Sequence, residues 1–279
     1  MFINQIKPSI LIKGIIKYPF HLLNGLLKGR RSARFLSLLP PFFKNQLIFD
    51  KKKKLFLNPK IRSHVDFLTL RQIFQGNDYG LEKIGRKRDL MSHYQKIVES
   101  GKLPLIIDCG GNIGLASKYF NNEYPEAIIV CIEPDHLHIE QAKVNNKSNK
   151  VHFLEKAIGC RVERGAVVDP GLGEWGYRME VSHDGSTEIV SINSLLETYD
   201  KNKYSPFIVK IDIEGFEENL FSESTEWINK FPLLIIELHD WMLPKSANSA
   251  NFLKAIAPLN RDFVFYGENI FSIENELIC

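Results

Sequence analysis

The sequence predicts an α/β fold built on a largely parallel sheet, and three observations carry that expectation. Leu105-Ile-Ile-Asp-Cys-Gly-Gly-Asn-Ile-Gly114 is a short apolar run closed by an acid and a glycine-rich turn, and Leu115 to Asn121 after it reads as a helix. Ala127 to Ile132 is a second apolar run that also ends in a carboxylate, Glu133. Two later runs, Phe207 to Asp212 and Leu233 to Glu237, repeat the pattern. Short apolar strands alternating with helices give a parallel sheet covered on both faces.

Taken in order, the chain opens on a basic arm. Residues 1–60 hold thirteen Lys and Arg against the single acid Asp50, a net +12, whereas the remainder carries −9 of the overall +3. Lys13, Lys17, His21, Asn24 and Lys28 recur at helical spacing, with Ile12, Ile15, Ile16, Phe20, Leu23, Leu26 and Leu27 opposite them. That is an amphipathic helix interrupted near Pro19. Its lysines leave no apolar stretch long enough to span a bilayer, and no small-residue cleavage site follows it. Three partners fit such a helix. An anionic membrane surface, met through residues 1–36, suits a Lys/Arg face beside a Leu/Ile/Phe face. Packing on the body of the protein or on a second copy in a homo-oligomer is the alternative. A nucleic-acid arm fits worst, because the basic residues alternate with aliphatics rather than aromatics.

With the arm taken as 1–50, residues 51–100 read as a cap: the patch Lys51 to Lys54, then Leu55 to Leu57, then helices over Val65–Phe74 and Leu90–Val98. Residues 101–279 form the main domain. After Glu133 come a helix over His136–Asn145 and a strand at Val151–Leu154. Residues 159–188, rich in glycine and turn residues, read as an inserted hairpin or loop over the pocket. Phe263–Tyr266 and Ile270–Ile273 close the chain as a hairpin. The four cysteines, at 109, 131, 160 and 279, lack C-x-x-C spacing and read as reduced thiols, which implies a reducing, cytoplasmic setting.

In an open α/β sheet ligands sit beyond the carboxyl ends of the strands, so Asp108, Glu133, Asp212 and the pair Glu237 and His239 should converge on one crevice. The loop glycines allow main-chain N–H groups to approach a ligand, and Glu133 is placed to accept from both ribose hydroxyls of an adenosine. The spacing Gly110-Gly111-Asn112-Ile113-Gly114 departs from the G-x-G-x-x-G of dinucleotide sites. An acid before the glycines opposes a diphosphate but suits an ammonium group. S-adenosylmethionine (SAM) is therefore preferred to NAD.

These residues also carry a resemblance. IIDCGGNIG, CIEPD, VKIDIEGFEENLF and IIELH, in that order and spacing over about residues 105–240, resemble the FkbM-type family of SAM-dependent methyltransferases. The stretch from Asp66 to Phe74 is similar to the family's leading region; the basic arm has no counterpart in the family's core pattern. The resemblance implies the class I methyltransferase fold, a Rossmann-like sheet of seven strands with the last antiparallel, here with an N-terminal helical extension and a β-hairpin insertion. It also implies O-methylation of sugars, polyketides or related small molecules. By motif, Asp108, Gly110, Gly111, Asn112 and Gly114 would hold the methionine end, Glu133 the ribose, and Glu155 and Ala157 the adenine edge.

Asp212, Glu214, Glu237 and His239 would then lie near the transferable methyl, with Asp212 also touching the cofactor and Glu214 and His239 facing the acceptor. O-methylation needs a base or a cation that lowers the alcohol's pKa. His239, with an ordinary pKa near 6.5, is the preferred base; Asp212 and Glu237 would orient it or, with it, bind a divalent cation, and no metal ligand is assigned. Glu217 reads as a helix N-terminal acid favoured by the dipole, outside the site. His183 and Trp175 are given no catalytic role.

Missing motifs count against nucleic-acid chemistry: Asp212-Ile-Glu-Gly stands where base-nitrogen methylation uses an Asn/Asp-Pro-Pro-aromatic loop, and no Pro-Cys dipeptide occurs. The expected activity is methylation of a hydroxyl on a sugar, glycan or lipid-linked saccharide, by an enzyme peripheral on the inner face of the membrane. The rival is a non-catalytic SAM-fold protein that docks through its arm.

Overall fold

The structure, a computed structural model, describes residues 34–168 and 178–277. The expected amphipathic helix and most of the arm lie outside them. Two compact units divide the chain, Met1–Tyr79 and Gly80–Cys279. Among the described residues no helix is long and apolar enough to cross a membrane.

The expected break at residue 50 is not where the first unit divides. β1 (Phe35–Ser37), β2 (Ile48–Asp50) and β3 (Leu55–Leu57) form one antiparallel sheet that runs through that position. The patch Lys51 to Lys54 is the turn joining β2 to β3. Asp50 shapes it: its carboxylate accepts from the backbone N–H groups of Lys52 and Lys53 and pairs with Arg34 at 2.8 Å. Helix α1 (His64–Leu70) begins at Ser63, whose hydroxyl accepts from the Asp66 amide, and a π-helical turn (Arg71–Gly76) ends it at Asn77, in the left-handed region. Phe35 and Phe74 meet edge to face at 5.2 Å.

The second unit opens with α2 (Lys87–Glu99), which buries Leu90, Tyr94 and Ile97. Its centre is a seven-stranded sheet. In chain order the members are β4 (Leu103–Cys109), β5 (Ile128–Ile132), β6 (Val151–Leu154), β11 (Tyr204–Ile211), β12 (Leu233–Glu237), β13 (Arg261–Tyr266) and β14 (Asn269–Glu274). In space they run β13-β14-β12-β11-β4-β5-β6. β6, β5, β4, β11 and β12 are parallel, and β14 is antiparallel to both β12 and β13. This is the class I methyltransferase order, with the last strand reversed and inserted between its two predecessors. Leu105 to Ile107 and Phe207 to Val209 are at most 1% exposed, as unbroken apolar runs buried on both faces require. Helices α3 (Leu115–Glu123) and α4 (His136–Asn145) cross over from β4 to β5 and from β5 to β6.

The chain steps outward from β4 to β5 and β6, then returns to the other side of β4 as β11. β4 and β11 are therefore the neighbouring strands at which the winding reverses, and ligand crevices lie beyond the strand ends at such a point.

The expected insertion is present but belongs to a larger element. β7 (Ala157–Gly159), β8 (Glu163–Val168), β9 (Arg178–Val181) and β10 (Thr187–Ser191) form a second sheet in the order β7-β10-β8-β9. The β8–β9 hairpin is its outer half, while β10 pairs parallel with β7. Ala157, Ile189 and Phe216 pack beneath it, with Met179 and Ile213 alongside.

Candidate active site

The glycine-rich loop is shaped by close approach. Gly110 sits at φ +75°, and a Cβ there would stand 1.7 Å from the carbonyl oxygen of Asp212, so the loops after β4 and β11 touch through the bare α-carbon. Gly111 has no room on its other side, since a Cβ would meet Cys131 Sγ at 2.3 Å. The Gly110 and Gly111 amides both donate to the Ile132 carbonyl, at 3.0 and 2.9 Å, so this part of the loop is bound to the end of β5. Gly114, at φ +74°, caps α3.

Glu133 is the best-prepared group in the loop region. One carboxylate oxygen accepts from the Asn112 amide at 2.9 Å and the other from the Asp135 amide at 3.1 Å, with His138 Nδ1 at 3.4 Å. Backbone donors fix its orientation and leave each oxygen a further lone pair. Asn112 holds a left-handed conformation, φ 45°, and its side-chain Oδ1 is buried without a hydrogen bond. Gly110, Asn112 and Glu133 line a cleft of about 810 Å³, open mouth included, together with Pro134, Asp135, His138 and Lys156. Ile132, Ala157, Ile158, Val167 and Met179 supply its apolar lining, and Asp212, Ile213, Glu214 and Phe216 complete it.

Four expected cofactor residues, Asp108, Gly111, Gly114 and Glu155, do not line this cleft. Asp108 is fully buried, because Lys210 is its register partner on β11 and reaches it at 3.2 Å, while Ser117 Oγ donates to its other oxygen at 2.6 Å. Lys210 and Ser117 hold it beneath the floor of the site. Glu155 turns outward and pairs with His136 at 2.8 Å; Lys156 and Ala157 line the cleft in its place.

The second cluster forms where β11 and β12 end. Ile211 and Ile236 are register partners, so Asp212 and Glu237 emerge side by side, with His239 two residues further on. Glu214, at φ 54°, and Gly215, at φ 96°, turn the chain so that the Glu214 carboxylate joins them. His239 Nε2 faces Asp212 at 3.6 Å, Glu237 at 3.7 Å and Glu214 at 3.8 Å. Its Nδ1 lies 2.8 Å from Glu217, which also accepts from the Asn248 side chain. Lys210 Nζ, bound to the Gly110 carbonyl at 2.7 Å, stands between Asp108 and Asp212.

This environment bears directly on the role expected of His239. It is 2% exposed. Burial opposes its charge, but the Glu217 hydrogen bond and the charges of Glu217, Asp212 and Glu214 outweigh that and raise the imidazole to about 9. Without a bound cation this favours the imidazolium form at neutral pH, which has no lone pair to act as a base. Burial and the neighbouring Asp212 charge lift Glu214 to about 7 and Glu237 to about 8. Of the expected acceptor-facing residues, Asp212 and Glu214 line the cleft, with Glu237 and His239 beside them.

Glu217 is corrected as well: it is wholly buried and orients His239. Its place on the first turn of α5 (Glu217–Leu220) matches a dipole acid, and the sequence carried no signal of the histidine that packs on it. Lys210 was also missed; a lysine next to last in the mainly apolar strand β11 was its sequence signal. The thiols of Cys109 and Cys131 are pushed up by burial, and Cys160 is buried and free like them.

A family model described as the methyltransferase FkbM domain matches residues 108–265, more than half of the chain. No curated protein matches. Among solved structures, a Klebsiella pneumoniae protein described by inference as an O-methyltransferase aligns at 10% identity and TM-score 0.40, over 74% of this chain and 89% of that one. The bifunctional kinase-methyltransferase WbdD aligns at 10% identity and TM-score 0.39; 70% of this chain spans 40% of that longer protein. A precorrin-6y C5,15-methyltransferase from Geobacter metallireducens aligns at 12% identity and TM-score 0.34, over 70% of this chain and 90% of that one.

Proposed function

The chain belongs to the FkbM methyltransferase family, and on that premise we propose that it transfers a methyl group from SAM to a hydroxyl of a sugar or glycan acceptor. One observation carries the reading: Glu133, held by two backbone amides, and the carboxylates Asp212 and Glu214 line the same cleft. The residues fit the donor. Glu133 would take the ribose hydroxyls, Ala157 and Ile158 the base, and the unsatisfied Asn112 Oδ1 with Asp212 the ammonium group in place of the buried Asp108.

Bound SAM would supply a methyl carbon activated by its sulfonium. The acceptor oxygen must be aligned with that carbon and must lose its proton as the new bond forms. Glu214, lifted to about 7, has the proton affinity for that task near neutral pH, and Asp212 next to it would orient the hydroxyl. In the absence of a cation, a protonated His239 would hold the three carboxylates together. Trp241, 69% exposed with its ring 6.4 Å from that of His239, offers a flat apolar face suited to a sugar ring. The basic arm suits an acceptor carried on an anionic membrane surface.

The test is mass-detected methyl transfer to a panel of sugars, glycans and lipid-linked saccharides. Glu214→Gln should lower kcat about 100-fold or more while SAM binding persists, and Asp212→Asn should lower kcat as much and also weaken SAM binding. SAM binding with no product anywhere on the panel would defeat the reading.

A further inference from the structure

At the edge of the donor cleft, the end of β11 and β12 holds an arrangement that methyl-donor binding does not explain. His239 is buried, Glu217 engages its Nδ1 at 2.8 Å, and its Nε2 points into a ring of carboxylate oxygens that are all beyond hydrogen-bond reach, at 3.6, 3.7 and 3.8 Å. A histidine that only needed a partner would sit about 0.8 Å closer to one of them. Donor atoms of Asp212, Glu214 and His239 all lie within 4.8 Å of one another. Around a six-coordinate cation with bonds of about 2.1 to 2.4 Å, neighbouring donors stand about 3.0 to 3.4 Å apart and opposite ones about 4.2 to 4.8 Å. The observed spacings need only a few tenths of an ångström of adjustment.

The surroundings match a metal centre as well. A carboxylate that accepts from the far nitrogen of a ligating histidine is the usual second partner in such sites, and Glu217, itself fixed by Asn248, stands there. Lys210 approaches Asp212 through Oδ2, at 3.4 Å, and leaves Oδ1 facing Nε2. Five carboxylates, Asp108, Asp212, Glu214, Glu217 and Glu237, gather here around Lys210 and His239. The Asp212 and Glu214 side opens to the cleft, leaving positions for an acceptor oxygen.

We propose that Asp212, Glu214 and His239, with Glu237 beside them, form a binding site for a divalent cation of the Mn²⁺ type, which would bring the acceptor hydroxyl to the cleft. Oxygen donors combined with one imidazole suit Mn²⁺ and its first-row neighbours better than Ca²⁺ or Mg²⁺. The cation would lower the hydroxyl's pKa; its proton leaves to water or a carboxylate, the oxygen bonds the methyl carbon, and the carbon–sulfur pair returns to sulfur as a neutral thioether. The chemical role rests on the methyl-transfer reading; the binding site does not.

The experiment uses the full chain, stripped with EDTA and titrated with MnCl₂ in the absence of SAM. Free Mn²⁺ is followed by its paramagnetic resonance signal and the heat by calorimetry. One saturable site is expected, with affinity reduced at least 10-fold in Asp212→Asn and Glu214→Gln and about 10-fold or more in Glu217→Gln. Glu140→Gln, a surface carboxylate, should leave it unchanged. Mn²⁺ binding that ignores Asp212→Asn and Glu214→Gln would overturn the inference. So would a wild-type chain that binds SAM but has no Mn²⁺ site tighter than millimolar. A chain that binds Mn²⁺ at this site but not SAM would uphold the cation site and defeat the methyl-transfer reading instead.

Discussion

At the scale of single residues, the carboxylates that end strands were readable, and their partners were not. Glu133 and Asp212 each follow an apolar run, and both line the cleft. Asp108 has the same local signature, yet parallel register puts it beside Lys210 and out of reach. His239 shows the same limit: its ordinary pKa suggested a base, and only the fold reveals Glu217 against one nitrogen and three acids against the other. A pH effect on stability follows. The folded protein holds the His239 proton up to about pH 9, against 6.5 for an ordinary histidine, so this contribution is complete below about pH 6.5 and is lost as pH rises through about 9. Glu214 and Glu237, raised from 4.5 to about 7 and about 8, act in the same direction over a lower window. In EDTA the Tm should therefore fall as pH rises from 6.5 to 9, and His239→Gln should flatten that slope. A Tm that climbs over this range would show that the imidazolium is not held as described.

At the scale of elements, the strands and helices of the main sheet were legible, because apolar runs buried on both faces advertise themselves and the helix over His136–Asn145 has Asp135 as its N-cap. The second sheet was legible only as a hairpin. Its core pairing joins Ala157–Gly159 to Ile189–Ser191, segments of three residues some thirty apart, and no local pattern marks that contact. The meeting of the β4 and β11 loops has the same non-local character and yields a sharp expectation. Gly110→Ala would bring a left-handed strain of about 1 to 2 kcal/mol together with backbone overlap at Asp212. We expect it to cost about 3 kcal/mol or more in urea unfolding and to abolish SAM binding even where the protein remains folded. Unfolding within about 0.5 kcal/mol of wild type would mean that the loops do not touch as described.

At the scale of the whole molecule, charge is divided rather than balanced: a +12 segment over residues 1–60 and −9 over the rest. A catalytic fold needs no such division, whereas an acceptor held on anionic lipid would. Sedimentation with anionic vesicles should show binding that weakens with salt and is lost when residues 1–33 are removed, a cut that preserves the Arg34–Asp50 pair. Binding unchanged by that removal would end the membrane reading. The central claim, that the cleft binds a methyl donor through Glu133, is tested most directly by calorimetric titration with SAM, with NAD as the control ligand and Glu133→Ala as the comparison. Loss of charge-assisted hydrogen bonds to the ribose predicts micromolar SAM binding weakened about 10- to 100-fold in Glu133→Ala, and no binding of NAD. SAM affinity that is absent, or indifferent to Glu133, would contradict the account.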